Sequence, residues 1–95
     1  MTDLQLTQYE LKVLKLFFKG NKLKELSPKD VDMKFEFGIA RVIDLFLELE
    51  VKGFVEWVYL NLMELELGRS TKEIYEEVYN STARLTKTGK HLLSQ

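Results

Sequence analysis

Residues 39–51 form the segment that most constrains this chain, because they are apolar nearly all round a helix: "IARVIDLFLELEV". Gly38 stands before the segment and Lys52-Gly53 breaks the pattern after it, so we predict a helix from Ile39 to about Val51. A helix of this composition is buried on most sides. Because the chain is small, we expect a second copy of it to supply part of the cover, giving a homodimer.

The length and composition indicate one globular domain covering residues 1–95. With 95 residues, 45% of them apolar, the chain can bury one modest core. No apolar run is long enough to span a membrane and the first residues do not resemble a signal peptide, so we expect a cytoplasmic protein that makes no membrane contact. Without cysteine and with a single histidine, His91, the sequence predicts no disulfide, no metal site and no cofactor.

The net charge of −1 hides a gradient along the chain. Residues 1–34 carry seven basic and five acidic side chains, residues 35–78 carry four and ten, and residues 79–95 carry three and none. The two ends are therefore basic and the middle is acidic. A protein that binds nucleic acid usually shows a basic surface, so this distribution leaves that class open without favouring it.

Two further helices have clear starting signals. Thr7 and Glu10 form a capping-box pattern, which predicts a first helix from Gln8 that ends at Gly20-Asn21. A short extended piece follows at "KLKEL". Ser27, Pro28 and Asp30 then predict a short second helix, since these residues suit the N-cap and the first helical turn. The second and third helices are separated by only a few residues, which is typical of a helix-turn-helix.

The segment after Gly53 has two possible structures. "FVEWVYLNLMELEL" and "KEIYEEVYNSTARL" are rich in aromatic and branched residues and flank the turn-like "GRST", which favours a long β-hairpin. However, Ser70 with Glu73 also forms a capping-box pattern, and Ile74 with Val78 stands at helical spacing. A helix from Thr71 to Tyr79 is therefore the alternative. On a hairpin, the aromatic side chains would fill the core or strengthen a dimer interface: Trp57, Tyr59, Tyr75 and Tyr79.

Two stretches carry a resemblance to a known family. "LELEVKGFVE" resembles the end of the third helix and the first wing strand of winged helix-turn-helix domains, and "RLTKTGKHLL" resembles the end of the second wing strand and the next helix in regulators of the MarR and PadR kinds. In the second stretch Leu85 would end a strand in the core and Thr86 would cap the short helix. Gly89 would let two backbones approach closely. The expected fold is α+β: a three-helix core, a long β-hairpin wing and a short C-terminal helix.

The resemblance implies a nucleoid-associated transcriptional regulator that binds double-stranded DNA as a dimer. Its third helix would lie in the major groove and its wing would contact the DNA backbone. Arg41 is the most suitable residue for reading a base, because its planar fork can pair with guanine. Carried over residue by residue, the DNA-binding positions would be Lys29, Lys34, Gly38, Arg41, Asp44, Arg69, Ser70, Thr71, Lys72 and Lys87.

The sequence also departs from that family pattern. Two of the three polar residues on the third helix, Asp44 and Glu48, are acidic, and the proposed wing carries five more acids: Glu64, Glu66, Glu73, Glu76 and Glu77. Because phosphate repels carboxylates, the alternative function is a winged-helix protein-interaction module that uses the apolar third helix and the acidic hairpin. We do not expect an enzyme, because His91 has no evident catalytic partner and no phosphate-binding loop is present.

Overall fold

The computed structural model describes residues 6–19, 22–58 and 70–93. This part contains helices and short antiparallel strands, and the fold class is α+β. In chain order the elements are α1 (Gln8–Leu16), β1 (Phe18–Lys19), β2 (Lys22–Leu23), α2 (Pro28–Phe35), α3 (Ile39–Val51), β3 (Val55–Trp57), α4 (Thr71–Tyr79), β4 (Ala83–Leu85) and α5 (Lys87–Leu93).

The first helix begins where its capping box predicts and ends earlier than expected. The Thr7 side chain accepts a hydrogen bond from Glu10 N, and the Glu10 carboxylate accepts one from Thr7 N. The helix ends at Leu16, before the predicted stop at Gly20-Asn21, because buried Phe17 leads into β1 and its carbonyl accepts a hydrogen bond from Lys24 N at 2.7 Å. β1 and β2 then pair antiparallel, which confirms the extended piece at residues 22–23.

The second helix begins where predicted, the third has the predicted bounds, and a connection of three residues joins them. Ser27 caps α2 in a reciprocal capping box with Asp30, and Pro28 occupies its first turn. Glu36 ends α2 in the left-handed conformation, with φ of 58°, and Gly38 precedes α3 with φ of 94°. Asp32 Oδ1 accepts a hydrogen bond from Gly38 N at 2.8 Å, which fixes the connection against α2.

The long hairpin is wrong for residues 71–79, which form the helix α4. The Ser70 hydroxyl accepts a hydrogen bond from Glu73 N at 3.2 Å and caps this helix. Val78 is buried, and Ile74 and Tyr75 are half-buried against the core. The helical spacing of these side chains places them on one face of α4, which packs against α2 and α3. This packing outweighs the strand preference of the individual residues.

Among the described residues, strands pair over a shorter length than the predicted hairpin. β3 pairs antiparallel with β4, with Val55 opposite Leu85 and Trp57 opposite Ala83. On the other side of β4, Leu26 forms a bridge with Ala83 through two backbone hydrogen bonds of 2.7 and 2.9 Å. Three segments therefore lie side by side: the residue before the α2 cap, then β4, then β3.

The third helix is covered within the same chain. Val42, Ile43, Phe46 and Leu49 of α3 are buried in one cluster with side chains of α1, α2, the strands and α4. Since α4 packs against α3, the second cover that we expected from another copy comes from this chain. The apolar character of α3 therefore gives no evidence for a dimer.

The C-terminal segment agrees with the sequence analysis. Leu85 is buried at the end of β4, and Thr86 Oγ1 accepts a hydrogen bond from Gly89 N at 3.1 Å. A Cβ atom on Gly89 would collide with the carbonyl oxygen of Phe54, so α5 crosses the β3 end of the sheet at a distance that only glycine allows. Among the described residues, the helices are too short or too polar to cross a bilayer.

Candidate nucleic-acid interface

The exposed face of α3 is narrow and mixed in charge. Its exposed members are Ile39, Ala40, Arg41, Asp44, Glu48 and Val51. The polar stripe predicted at residues 41, 44 and 48 is therefore confirmed, and Val51, at 82% exposure, extends the face at the C-terminal end. One basic and two acidic side chains leave this face with a small negative charge.

Arg41 does not stand alone on this face. Its guanidinium carbon lies 5.0 Å from the centre of the Tyr9 ring on α1, and Lys12 Nζ lies 5.8 Å from the same ring. These distances are in the range of cation–π contacts, which contribute about 0.5–1 kcal/mol at exposed sites. We call Tyr9, Lys12 and Arg41 the Tyr9 cluster. It concentrates two positive charges at the edge between α1 and the N-terminal half of α3.

Aromatic packing holds the Tyr9 cluster against the connection between α2 and α3. The Tyr9 ring meets Phe37 edge to face, with ring centres 5.6 Å apart, and Phe37 stacks on Phe35 at 5.3 Å. Phe37 directly precedes Gly38, so the Tyr9 ring is fixed next to the start of α3. Such ring pairs stabilise their geometry by about 0.5–1.5 kcal/mol beyond the area they bury.

A groove runs from the Tyr9 cluster along the side of α3 toward its C-terminal end. Its lining residues come from α1, its cap and α3: Thr7, Glu10, Arg41, Asp44, Leu45, Glu48 and Lys52. At its base Lys52 Nζ donates to both oxygens of Glu10, at 2.8 and 2.9 Å. Burial by itself would raise the pKa of Glu10, but the hydrogen bonds from Lys52 and Thr7 N and the charge of Lys52 together lower it.

A second link joins α4 to the connection before α3. The Tyr79 hydroxyl donates to Asp32 Oδ2 at 2.6 Å, while Oδ1 of the same carboxylate accepts from Gly38 N. The hydrogen bond to Asp32 raises the pKa of Tyr79, and desolvation and the Asp32 charge add to this effect. Asp32 therefore connects the end of α4 to the residue that precedes α3.

The predicted DNA-binding residues that the structure describes lie in four separate places. Lys29 and Lys34 are exposed on α2, Gly38, Arg41 and Asp44 are exposed at the start of α3, and Lys87 is exposed at the start of α5. Ser70, Thr71 and Lys72 are exposed but form the cap and first turn of α4, so their assignment to a hairpin turn is wrong. Arg69, the remaining member of the predicted wing tip, lies outside the described residues, as do Tyr59, Glu64 and Glu66.

Sequence reasoning missed the roles of Tyr9 and Lys12. The three-residue spacing of Tyr9 and Lys12 on a helix gives a local signal that they are neighbours. Nothing local indicates that Arg41 approaches Tyr9, because that contact depends on how α1 packs against α3. The same holds for Asp32 and Tyr79, which come from α2 and α4.

Three of the five acidic side chains expected on the hairpin are described, and they lie on the exposed side of α4 instead. Glu73, Glu76 and Glu77 are exposed there and, with Asn80 and Ser81, line an open depression. These three negative charges are therefore presented by a helix.

Comparisons of this chain with protein-family models, with curated proteins and with solved structures found no match. The functional proposal therefore rests on the fold and on the side chains described above.

Proposed function

We propose that this chain is a winged-helix DNA-binding domain of a transcriptional regulator. The arrangement that supports the proposal is α2 and α3 joined by a short connection, with Leu26, β4 and β3 side by side next to them. In a winged helix of this kind the second helix of the pair enters the major groove. The segment between β3 and β4, which includes α4, takes the place of the wing.

One observation carries the DNA-binding part of the proposal, namely the two cations of the Tyr9 cluster beside the exposed start of α3. Positive charge is what a protein needs to bind the phosphate backbone, and most DNA affinity comes from such contacts. Lys29 and Lys34 on α2 add two exposed positive charges on the neighbouring element. The acids Asp44 and Glu48 follow toward the C-terminal end of α3, so the N-terminal end is the one that suits DNA.

The test is a fluorescence-anisotropy titration of the purified protein against a random-sequence duplex at low and moderate salt. We expect binding at low salt that weakens steeply as salt rises, because each neutralised phosphate releases counterions. Arg41→Ala should weaken the binding. Lys24→Ala is a matched surface control, because it also removes one exposed positive charge but lies outside the Tyr9 cluster, and it should weaken binding less. Absence of binding even at low salt would refute the proposal.

The second candidate is a winged-helix module that binds a protein, and the exposed glutamates of α4 favour it. Glu73, Glu76 and Glu77 present a negatively charged surface that repels DNA and would attract a basic protein segment. The apolar side of α3 no longer supports this candidate, because α4 covers it. If the protein fails to bind DNA at low salt, the outer face of α4 is the surface on which to seek a partner.

A further inference from the structure

We infer that Arg41 and Lys12 together bind a backbone phosphate of DNA, and that Arg41 does not read a base edge. The inference rests on the proposed function and specifies which part of the DNA the Tyr9 cluster recognises. It differs from the role that the family resemblance gives to Arg41, which is contact with guanine in the major groove.

The direction of the Arg41 side chain is the first reason. Its guanidinium lies over the Tyr9 ring at 5.0 Å, so the side chain extends sideways from α3 toward α1. Reading guanine requires a guanidinium directed from the exposed face of the helix toward the base edges. A guanidinium held at the flank of the helix instead lies where the DNA backbone passes a helix seated in the major groove.

The position of Lys12 is the second reason. Its ammonium approaches the same Tyr9 ring at 5.8 Å, so two positive charges from different helices share one exposed ring. An anion between or beside them would relieve their mutual repulsion. A phosphate suits this pair, since arginine offers a planar fork of donors and lysine offers a compact point charge.

The acids on α3 are the third reason. Asp44 and Glu48 are exposed on the same face as Arg41, toward the C-terminal end of the helix. They repel phosphate, and the base contact open to a carboxylate is the amino group of cytosine. Arg41 precedes both acids on the helix and shares the Tyr9 ring with Lys12, so the Tyr9 cluster is the part of this face that brings two positive charges together.

The experiment measures anisotropy of the full chain against three short duplexes of unrelated sequence over a range of salt concentrations. The variants are Arg41→Ala, Arg41→Lys and Tyr9→Leu, with Lys24→Ala as a control that removes one positive charge outside the Tyr9 cluster. Circular dichroism of each variant checks that it folds. The wild type is titrated first, because its binding tests the proposed function separately from the role of Arg41.

Phosphate binding predicts that Arg41→Ala weakens binding to all three duplexes by the same factor and reduces the slope of log affinity against log salt by about 0.9. Arg41→Lys should keep most of that slope. Tyr9→Leu should weaken binding about two- to fivefold, because the ring no longer positions the two cations. Lys24→Ala should have a smaller effect than Arg41→Ala.

Two results would overturn the inference while leaving the proposed function intact. One is a loss in Arg41→Ala that is confined to duplexes with guanine at a single position, which would mean base reading. The other is unchanged affinity of Arg41→Ala for every duplex. If the wild type shows no salt-sensitive binding, the proposed function fails and the inference fails with it.

Discussion

The backbone at Gly89 leaves no space for a side chain. A Cβ atom there would overlap the carbonyl oxygen of Phe54 and lie 3.2 Å from Leu85 Cδ2. The neighbouring atom is backbone, so it cannot move aside as a flexible side chain would. The glycine in "LTKTGKHLL" is therefore required by the packing of α5 across the sheet, as the sequence analysis expected.

We predict that Gly89→Ala destabilises the fold by about 1–3 kcal/mol, the usual cost of overpacking. The direction of the stability change is informative. Alanine in a helix is intrinsically more favourable than glycine by up to about 1 kcal/mol, so without the collision the substitution would stabilise α5. Urea unfolding measures the difference. Thr88→Ala, at the exposed neighbouring position, should stay within about 0.5 kcal/mol of the wild type. An unchanged midpoint for Gly89→Ala would contradict the close approach.

Glu10 combines a capping role with a buried ion pair. Its side chain is 2% exposed and that of its partner Lys52 is 18% exposed, whereas in the pair of Glu56 and Arg84 both side chains are about half exposed. Removing the charge of a buried carboxylate that binds an ammonium costs more stability than removing the charge of an exposed carboxylate.

We predict that Glu10→Gln lowers the free energy of unfolding by about 1–3 kcal/mol near neutral pH, because the amide keeps the cap but leaves Lys52 without its buried countercharge. Glu56→Gln is the matched control and should cost less than about 1 kcal/mol. Urea unfolding of both variants at the same pH gives the comparison. Equal effects would show that burial does not distinguish the two pairs.

The acid dependence of stability follows from the same carboxylate. The folded-state pKa of Glu10 lies below its ordinary value of 4.5, so its contribution is present above that pH and is lost as the pH falls through the folded pKa. Glu10→Gln should therefore remove part of the acid-induced loss of stability seen in the wild type. Identical acid dependence in both proteins would mean that the loss arises at other carboxylates.

At the scale of elements, α4 shows how a local signal can be read in two ways. Residues 71–79 carry tyrosine, valine and isoleucine, which favour strands, but Ile74 and Val78 are four residues apart, as are Tyr75 and Tyr79. Once α2 and α3 are in place, that spacing gives one continuous face to pack against them, and the Ser70 cap satisfies the first turn. The last two residues of the predicted turn, Ser70 and Thr71, thus form the cap and the first residue of a helix.

The hydrogen bond from Tyr79 to Asp32 ties α4 to the connection before α3, and we predict that Tyr79→Phe lowers the thermal midpoint. The pKa of Tyr79 is raised above its ordinary value of 10.0, so its contribution is complete below that pH and disappears as the pH rises through the folded pKa. The wild type should therefore lose stability in alkali to a greater extent than Tyr79→Phe. Thermal unfolding between neutral and alkaline pH measures both effects.

Tyr75→Phe is the control for this prediction, because Tyr75 lies on the same helix and packs against the same core. It should keep the alkaline loss of stability that Tyr79→Phe lacks. If the two variants show the same pH dependence, the link between α4 and α2 does not contribute to stability.

At the scale of the whole molecule, charge is distributed by element. Exposed lysines lie on α1, α2 and α5, while exposed glutamates dominate the outer face of α4. The chain has a net charge of −1, so its long-range field does not attract DNA strongly. The proposed DNA binding would therefore depend on where the positive charges are placed, and the proposal rests on the Tyr9 cluster.

We predict that the protein is a homodimer in solution, as suits a regulator that binds a palindromic site. Light scattering coupled to size-exclusion chromatography should give twice the 11.2 kDa of one chain. Val51 on α3 and Met33 on α2, at 82% and 72% exposure, are the most exposed large apolar side chains described and are the positions to test for an interface. A monomer at every concentration would contradict the dimer.

The features that the sequence predicted correctly are those fixed by short-range chemistry. A capping box joins a residue to the third one after it, so the starts of α1 and α2 could be read directly from Thr7 and Ser27. The bounds of α3 follow from its composition and from Gly38. Gly89 was recognisable because a glycine inside a short helix requires a packing reason.

The remaining features depend on contacts between segments far apart in the chain. Residues 71–79 carried signals for both strand and helix, and packing against α2 and α3 decided between them. Arg41 appeared as a base-reading residue until the approach of α1 placed Tyr9 beside it, and Lys52 gave no sign of its pairing with Glu10. The sequence by itself determined where the first three helices begin and indicated a structural role for Gly89. Only the tertiary structure decided which charges meet, because electrostatic and packing contacts depend on distances that local patterns do not contain.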